Sequence, residues 1–245
     1  MRIARLRTDD GPRSVIHTGE AWAGIEDPFA PDLVYTGETY AVDGAELLAP
    51  WEPTVVVGIS HNKGANDHRL PIQAFLKSSR TVAGPGDEVP YRHGIGTVNM
   101  EGELAIVIGT RCSRLTPDDA MDAVFGYSIV NDVTNAGQVH VDEKFSQVKN
   151  GTNYTPIGPW IETELHHPGD RDIHMAVNGT EQLVSSTARL PSSLIEVLVY
   201  VSAWLELGPG DVILTGAPGT SIPVRPGDRV TITIDGIGTL ENAVC

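Results

Sequence analysis

Residues 99–109 read NMEGELAIVIG. From Leu104 to Ile108 every side chain is apolar, which predicts a buried strand. Two carboxylates, Glu101 and Glu103, stand at its mouth. Strand residues i and i+2 share a face, roughly 6.5–7 Å apart along the chain. Like charges at that spacing raise each other's pKa unless a cation lies between them. Oxygen ligands select a hard cation such as Mg2+, Mn2+ or Ca2+. Asp132, closing the apolar stretch YSIVND, is a third candidate ligand, because a charge at a buried strand's end is costly unless paired or metal-bound. Taken alone, an E-x-E pair is equally a solvent-exposed strand start, and Asp132 equally a turn residue.

The flanking sequence predicts further strands. PTVVVGIS (53–60) and DVILTG (211–216) read as buried strands, AFLKSS (74–79) as a short one, and Asn178-Gly179 as a two-residue hairpin turn. Within residues 1–50, MRIARLRTDDGPRSVIHTG reads as two strands around DDGP, and LVYTGETYAVDG as two more, broken at Gly37 and Gly44. Helices are few. TPDDAMDAVFG, with Thr116 as N-cap and Pro117 at the first helical position, predicts a helix ending near Gly126. PSSLIEVLVYVSAWLELGPGD predicts another, capped by Ser192 or Ser193, with a stripe of Ile195, Leu198, Val199, Ser202 and Leu205.

The whole chain of 245 residues suits one large domain or one with a small appendage. Its 26 glycines and 17 prolines favour a turn-rich β architecture. The charge of −15 repels phosphate backbones and argues against nucleic-acid binding. Two cysteines, Cys112 and Cys245, offer no thiolate metal spacing. The basic N-terminus lacks the apolar stretch of a signal peptide, and nothing approaches the roughly 20 apolar residues of a membrane helix. The expectation is a cytoplasmic protein with no membrane association.

EGELAIVIG, NDVT (131–134), KNGTNYTPIGPW (149–160), LGPGDVILTGAPG (207–219), PGDRV and GIGTLENAV occur in that order, and together they resemble the fumarylacetoacetate hydrolase family from about Val55 to the C-terminus. The resemblance implies an α+β, β-dominated fold of mixed, roll- or barrel-like sheets with a few helices. It divides the chain into a small N-terminal β domain (1–50) and a catalytic domain (51–245), usually assembled as a homodimer. It further implies a Mg2+ or Mn2+ site held by Glu101, Glu103 and Asp132, an active-site lysine at Lys149, and a small anionic substrate whose carboxylate meets Thr215 and Gly216. Lys77 matches a common F-L-K segment, in a substrate-binding or supporting role. Family substrates are typically 2-oxo or β-diketo acids, whose carboxylate and 2-oxo oxygen chelate one ion, and that ion stabilises an enolate.

Three departures bear on the reaction. Many family members resemble V-G-x-N-Y-x-x-H-x-x-E after the first buried strand, with His and Glu as an acid–base pair. Here VVGISHNKGAND places Gly64 and Asp67 at those positions and His61 three residues early. NDVTARD becomes NDVTNAG, and TGTP becomes TGAP at Ala217. Hydrolysis needs a base that activates water. Isomerisation or decarboxylation needs only an electron sink and a proton donor, and Ser60-His61 looks more like the isomerase and decarboxylase branch acting on 2-hydroxy-dienoate intermediates. His61 is a candidate proton shuttle and equally a loop histidine making one hydrogen bond. His68, His93 and His140 are weaker candidates. The expectation is an isomerase or decarboxylase. The alternatives are a C–C hydrolase of acylpyruvate-type acids, with His61 and Asp67 as a rearranged pair, and a catalytically silent binding paralogue.

Overall fold

The computed structural model describes residues 1–64, 67 and 70–245. Strand β8 (Val98–Ile108) is its axis, because every side chain but Asn99 is buried. On one edge it pairs antiparallel with β9 (Val124–Asn131), with Gly102 opposite Asn131 and Glu103 opposite Val130. On the other edge it changes partner. Ala105–Val107 pair with β13 (Val212–Leu214), whereas Val98–Glu101 pair with β14 (Ser221–Val224). Residues 215–220 therefore arch away from the sheet opposite Gly102–Leu104, next to the two glutamates.

The remaining strands extend the sheet outward. β1 (Arg2–Thr8), β2 (Gly11–His17), β3 (Ala21–Ile25) and β4 (Tyr35–Ala41) form a meander joined to β10 (Thr155–Glu162) through β1. β5 (Val56–Ser60) runs parallel to β13 and carries β6 (Gln73–Lys77) at the far edge. The order is β4-β3-β2-β1-β10-β9-β8-β13-β5-β6, with β7 (Val82–Ala83) on β10 and β14 on β8. β4 and β6 end that path without pairing to each other, so the barrel-like closure expected from the family resemblance is corrected to an open sheet.

Alternation along β8 separates two environments. Met100, Leu104, Ile106 and Ile108 pack into the main core with a second, four-stranded sheet, ordered β12 (Thr180–Ser186), β11 (Asp172–Val177), β15 (Arg229–Ile234), β16 (Gly238–Ala243). Gly102 lies on this face, where a Cβ would meet Ile232 at 3.0 Å and Met175 at 3.2 Å. The opposite face carries Glu101, Glu103, Ala105 and Val107, and the last two pack with Val56, Val130 and Ile157. The carboxylates thus share a face with a smaller core. Asn178-Gly179 forms the expected β11–β12 hairpin, with positive φ at both residues.

Three local expectations are corrected. LVYTGETYAVDG supplies one strand, β4, which runs through Gly37, where two were expected. Only Ala120–Ala123 form a 3-10 turn where TPDDAMDAVFG suggested a helix, and β9 takes over at Val124. A single helical turn is costly to nucleate, and Val124 gains a ladder against Ile108 instead. The second helix, α1 (Leu194–Ser202), is capped by Ser193 in a capping box with Glu196. Its buried face is Leu194, Val197, Leu198, Val201 and Ser202, which rotates the expected stripe and leaves Ile195 exposed.

Candidate metal centre

Glu101 and Glu103 lie on β8, and Asp132 follows β9 directly, its N–H bonded to the carbonyl of Glu101 at 2.9 Å. All three side chains are buried, each at 1–2% exposure, and carboxylate oxygens of all three lie within 4.8 Å of one another. Three buried negative charges at this spacing cannot stand without cations. Three lysines supply them. Lys149 Nζ donates to Glu101 Oε2 at 2.9 Å, to Asp132 Oδ2 and to Thr134 Oγ1 at 2.7 Å, and it lies 4.9 Å above the Phe75 ring. Lys77 Nζ, at the end of β6, donates to Asp132 Oδ1 at 2.6 Å and to the Tyr154 carbonyl at 2.7 Å. Lys63 Nζ donates to Glu101 Oε1.

The charges are not shared equally. Among the described residues Glu103 has no lysine in hydrogen-bond contact and accepts only the Gly216 N–H, at 2.7 Å. Burial, with the charges of Asp132 and Glu101, pushes its carboxyl up to about 8. Burial also raises Glu101, but Lys149 and Lys63 outweigh it and hold that carboxyl below its usual range. Burial pulls Lys149 down, yet Asp132 and Glu101 keep its ammonium above the ordinary value. For Lys77 burial wins over Asp132 and lowers it.

A carboxylate has about four lone-pair sites. Glu101 uses all of them, accepting from Lys63 and Ser221 at Oε1 and from Lys149 and Thr134 at Oε2. Asp132 accepts one lysine N–H at each oxygen, and Glu103 leaves Oε1 open. Asp132 therefore offers lone pairs to a hard cation, Glu103 does so on giving up its proton, and Glu101 when one donor gives way. The donor set fits Mg2+ or Mn2+, whose preferred ligands are carboxylate oxygens.

The arching segment fixes the surroundings. Thr215 Oγ1 donates to the Leu104 carbonyl at 2.8 Å, so its hydroxyl is engaged by β8. Gly216 has φ +104°, and a Cβ there would sit 2.4 Å from the Asn62 carbonyl oxygen. Only glycine allows that approach. Asn62, fully buried, donates to the Thr215 carbonyl at 2.7 Å and accepts from Ser192 N–H at 2.6 Å. The next residue, Lys63, is held at both ends of its peptide: its N–H donates to Asp67 Oδ2 at 2.8 Å, and its carbonyl accepts from Gly219 N–H at 2.8 Å.

The structure thus gathers Glu101, Glu103, Asp132, Lys149, Lys77 and Gly216 into one cluster, with Thr215 bracing it. Asp67 reaches it only through the backbone of Lys63. His61, at φ +59°, bonds through Nδ1 to the Pro71 carbonyl at 3.1 Å. His68 lies outside the described residues. Sequence reading missed Lys63, Thr134 and Ser221. Thr134 was visible within NDVT, whereas a lone lysine in a polar loop carries no periodicity.

The profile of the fumarylacetoacetate (FAA) hydrolase C-terminal family matches residues 48–245. The chain belongs to the fumarylacetoacetate hydrolase family. A second profile, the Rv2993c-like N-terminal family, matches residues 1–50. The crystal structure of 5-carboxymethyl-2-hydroxymuconate delta-isomerase from Mycobacterium smegmatis superposes with a TM-score of 0.93 at 34% identity, covering 100% of this chain and 99% of that one. Oxaloacetate tautomerase YisK of Bacillus subtilis is 36% identical over 225 residues, 84% of this chain and 75% of its own. Maleylpyruvate hydrolase from Sphingobium sp. SYK-6, solved with manganese(II) and pyruvate, has a TM-score of 0.81 at 28% identity, covering 100% of this chain and 98% of that one. As a fumarylacetoacetate hydrolase family member this chain is an enzyme acting on a small molecule, in a family of isomerases, tautomerases and hydrolases. Among the described residues no helix is long and apolar enough to cross a membrane.

Proposed function

We propose that this protein is a Mg2+- or Mn2+-dependent isomerase or decarboxylase of an enolisable 2-oxo carboxylic acid. One observation carries the reading. Among the described residues, the ionisable side chains that touch the three carboxylates are lysines only, with no imidazole or further carboxylate beside them. Hydrolysis needs a base to activate water. Moving a double bond, or losing CO2, needs a sink for charge and a proton, and no activated water.

Glu101, Glu103 and Asp132 would hold the ion. When bound, it supplies Lewis-acid stabilisation of charge on the 2-oxo oxygen. Lys149 orients Glu101 and Asp132 from beneath and keeps its own proton at Nζ. Lys77 fixes the other oxygen of Asp132. The arch 215–220 and the buried side-chain amide of Asn62, bonded to the Thr215 carbonyl, exclude water from the Glu103 side. Lys63 is the member that reaches solvent, with its side chain 40% exposed against 2% for Glu101. An anionic substrate meets its ammonium first, and proton exchange with water takes place on that side.

Ultraviolet absorbance tests this directly. With Mn2+ present, the enol of a 2-oxo acid such as oxaloacetate should ketonise faster than in buffer. Chelation and Asp132→Asn should each abolish the acceleration, and activity that survives Asp132→Asn refutes the reading. The similarity to a maleylpyruvate hydrolase supports a second reading, a C–C hydrolase using His61 and Asp67. Cleavage of acetylpyruvate that disappears in His61→Ala would establish it instead. A homodimer is part of the proposal, checked by sedimentation.

A further inference from the structure

We propose that Lys63 reads a second carboxylate on the substrate, so that the site takes 2-oxo dicarboxylic acids in preference to their monocarboxylic counterparts. The inference rests on the proposed metal-dependent 2-oxo acid chemistry and names its substrate class more narrowly.

Electrostatic balance favours a second carboxylate. Glu101, Glu103 and Asp132 carry three negative charges when ionised, and Lys63, Lys77 and Lys149 carry three positive ones. In that fully ionised state, the one a cation binds, these six side chains sum to zero. A divalent cation brings the cluster to +2 in a largely buried place, where unbalanced charge is expensive. A monocarboxylate leaves +1, and a dicarboxylate leaves zero.

Glu101 has every lone pair occupied, so binding an ion must release one of its four donors. Lys149 is 4% exposed and makes three hydrogen bonds, and Thr134 is buried. Ser221 sits on β14 and also accepts from Asn99. Lys63 Nζ has one polar partner among the described residues, Glu101, and an exposed side chain. It is the donor that can leave. Its main chain cannot follow, because its N–H is held by Asp67, its carbonyl by Gly219, and the preceding residue, Asn62, is anchored through its side-chain amide to the Thr215 carbonyl. A released ammonium on an anchored backbone stays beside the first ligand, within reach of the far end of a short chelated acid.

Lys77 and Lys149 are spent on Asp132 from inside the fold. Neither is available to a substrate group arriving from solvent.

Calorimetry on the intact Mn2+-loaded protein separates chelation from recognition. The probes are oxalate, which has no distal group, and two pairs matched in carbon number: oxaloacetate with 2-oxobutanoate, and 2-oxoglutarate with 2-oxopentanoate. A charge-assisted bond to the far carboxylate should make at least one diacid bind about tenfold to a hundredfold tighter than its monoacid. Lys63→Met should erase that preference, weakening the diacids by a larger factor than it weakens oxalate, whereas Lys63→Arg should retain it. Equal affinities within both pairs for the unaltered protein, or a preference that persists in Lys63→Met, overturns the assignment of Lys63 while leaving the metal-site reading standing. Failure of oxalate to bind the Mn2+-treated protein overturns both.

Discussion

Among the described residues, two groups bring three potential ligand atoms within 4.8 Å of one another: Glu101, Glu103 and Asp132 on the large sheet, and Asp172, His174 and Asp235 on the small one. Both use a strand's i, i+2 spacing plus one residue from a neighbouring strand's end. They differ in solvent. The first group is buried and drew in three lysines. The second is exposed or half-buried, and its imidazole pairs with Glu181, itself exposed. Solvent reaches the second cluster, so its geometry carries no obligation. In the first, every charge has to be answered by the protein or by an ion. Desolvation, more than distance, marks a site.

That contrast is broken most forcefully at Asp132. Asp132→Ala leaves Lys77 and Lys149 buried without their shared anion. Removing one partner of a buried ion pair costs about 3–5 kcal/mol. Urea unfolding of the metal-free protein should show a loss of that size, with activity gone. Asp235→Ala, on the exposed group, should move stability by no more than about 0.5 kcal/mol. Comparable losses at the two positions would remove the distinction.

A subtler break uses Gly216→Ala. The new methyl needs a left-handed backbone and collides with the Asn62 carbonyl. Strain of this kind costs about 1–3 kcal/mol. The movement should also disturb Lys63, so the Michaelis constant for an anionic substrate should rise by a larger factor than the inhibition constant of oxalate. Unchanged stability would show that the arch 215–220 is not held as tightly as its contacts indicate.

Acidity sharpens the comparison further. The Glu103 carboxyl titrates at about 8 in the folded, metal-free protein, against 4.5 when unperturbed. Between those values the unfolded chain is ionised while the folded site keeps a proton. This group therefore withdraws stability as pH rises from about 5 to 8, and its effect levels off above 8. Glu101 works oppositely, because its depressed carboxyl contributes stability that is lost as pH falls below 4.5. A cation on Glu103 needs the ionised form. The melting-temperature gap between Mn2+-loaded and chelated protein should widen from pH 6 to pH 8, with up to one proton released per ion. Calorimetry in buffers of different ionisation enthalpy would count it. A gap independent of pH removes Glu103 from the ligand set.

Much of the site was legible because burial and polarity conflict locally. Carboxylates beside ELAIVIG and at the end of YSIVND signal a conflict that only charge can settle. Strands with unbroken β-branched runs were legible for the same reason, as was the Asn178-Gly179 turn. What stayed hidden depends on long-range contact. Lys63 lies 38 residues from Glu101, in a loop with no pattern of its own. The arch at 215–220 follows from a change of strand partner along β8, which no local window contains. At TPDDAMDAVFG the helix-start signals were real, but Val124 and Phe125 gained more by entering β9 than by completing further turns. In the N-terminal meander, β4 runs through Gly37, and Ala21–Ile25 supply the strand beside it.

The smallest effect belongs to His174. Its ring bonds Glu181 through Nδ1 at 3.1 Å on an exposed sheet face, where ion pairs are worth about 0–1 kcal/mol. His174→Ala should therefore leave the unfolding midpoint nearly unchanged, with a difference of about 0.5 kcal/mol at most. Its use is as a control on metal stoichiometry. Mn2+ titration of the unaltered protein should show one tight site, and the tight isotherm should be the same in His174→Ala. In Asp132→Asn the tight site should vanish. If His174→Ala removes a tight site instead, the exposed cluster binds metal without the help of burial, and desolvation loses its standing as the feature that separates the two groups.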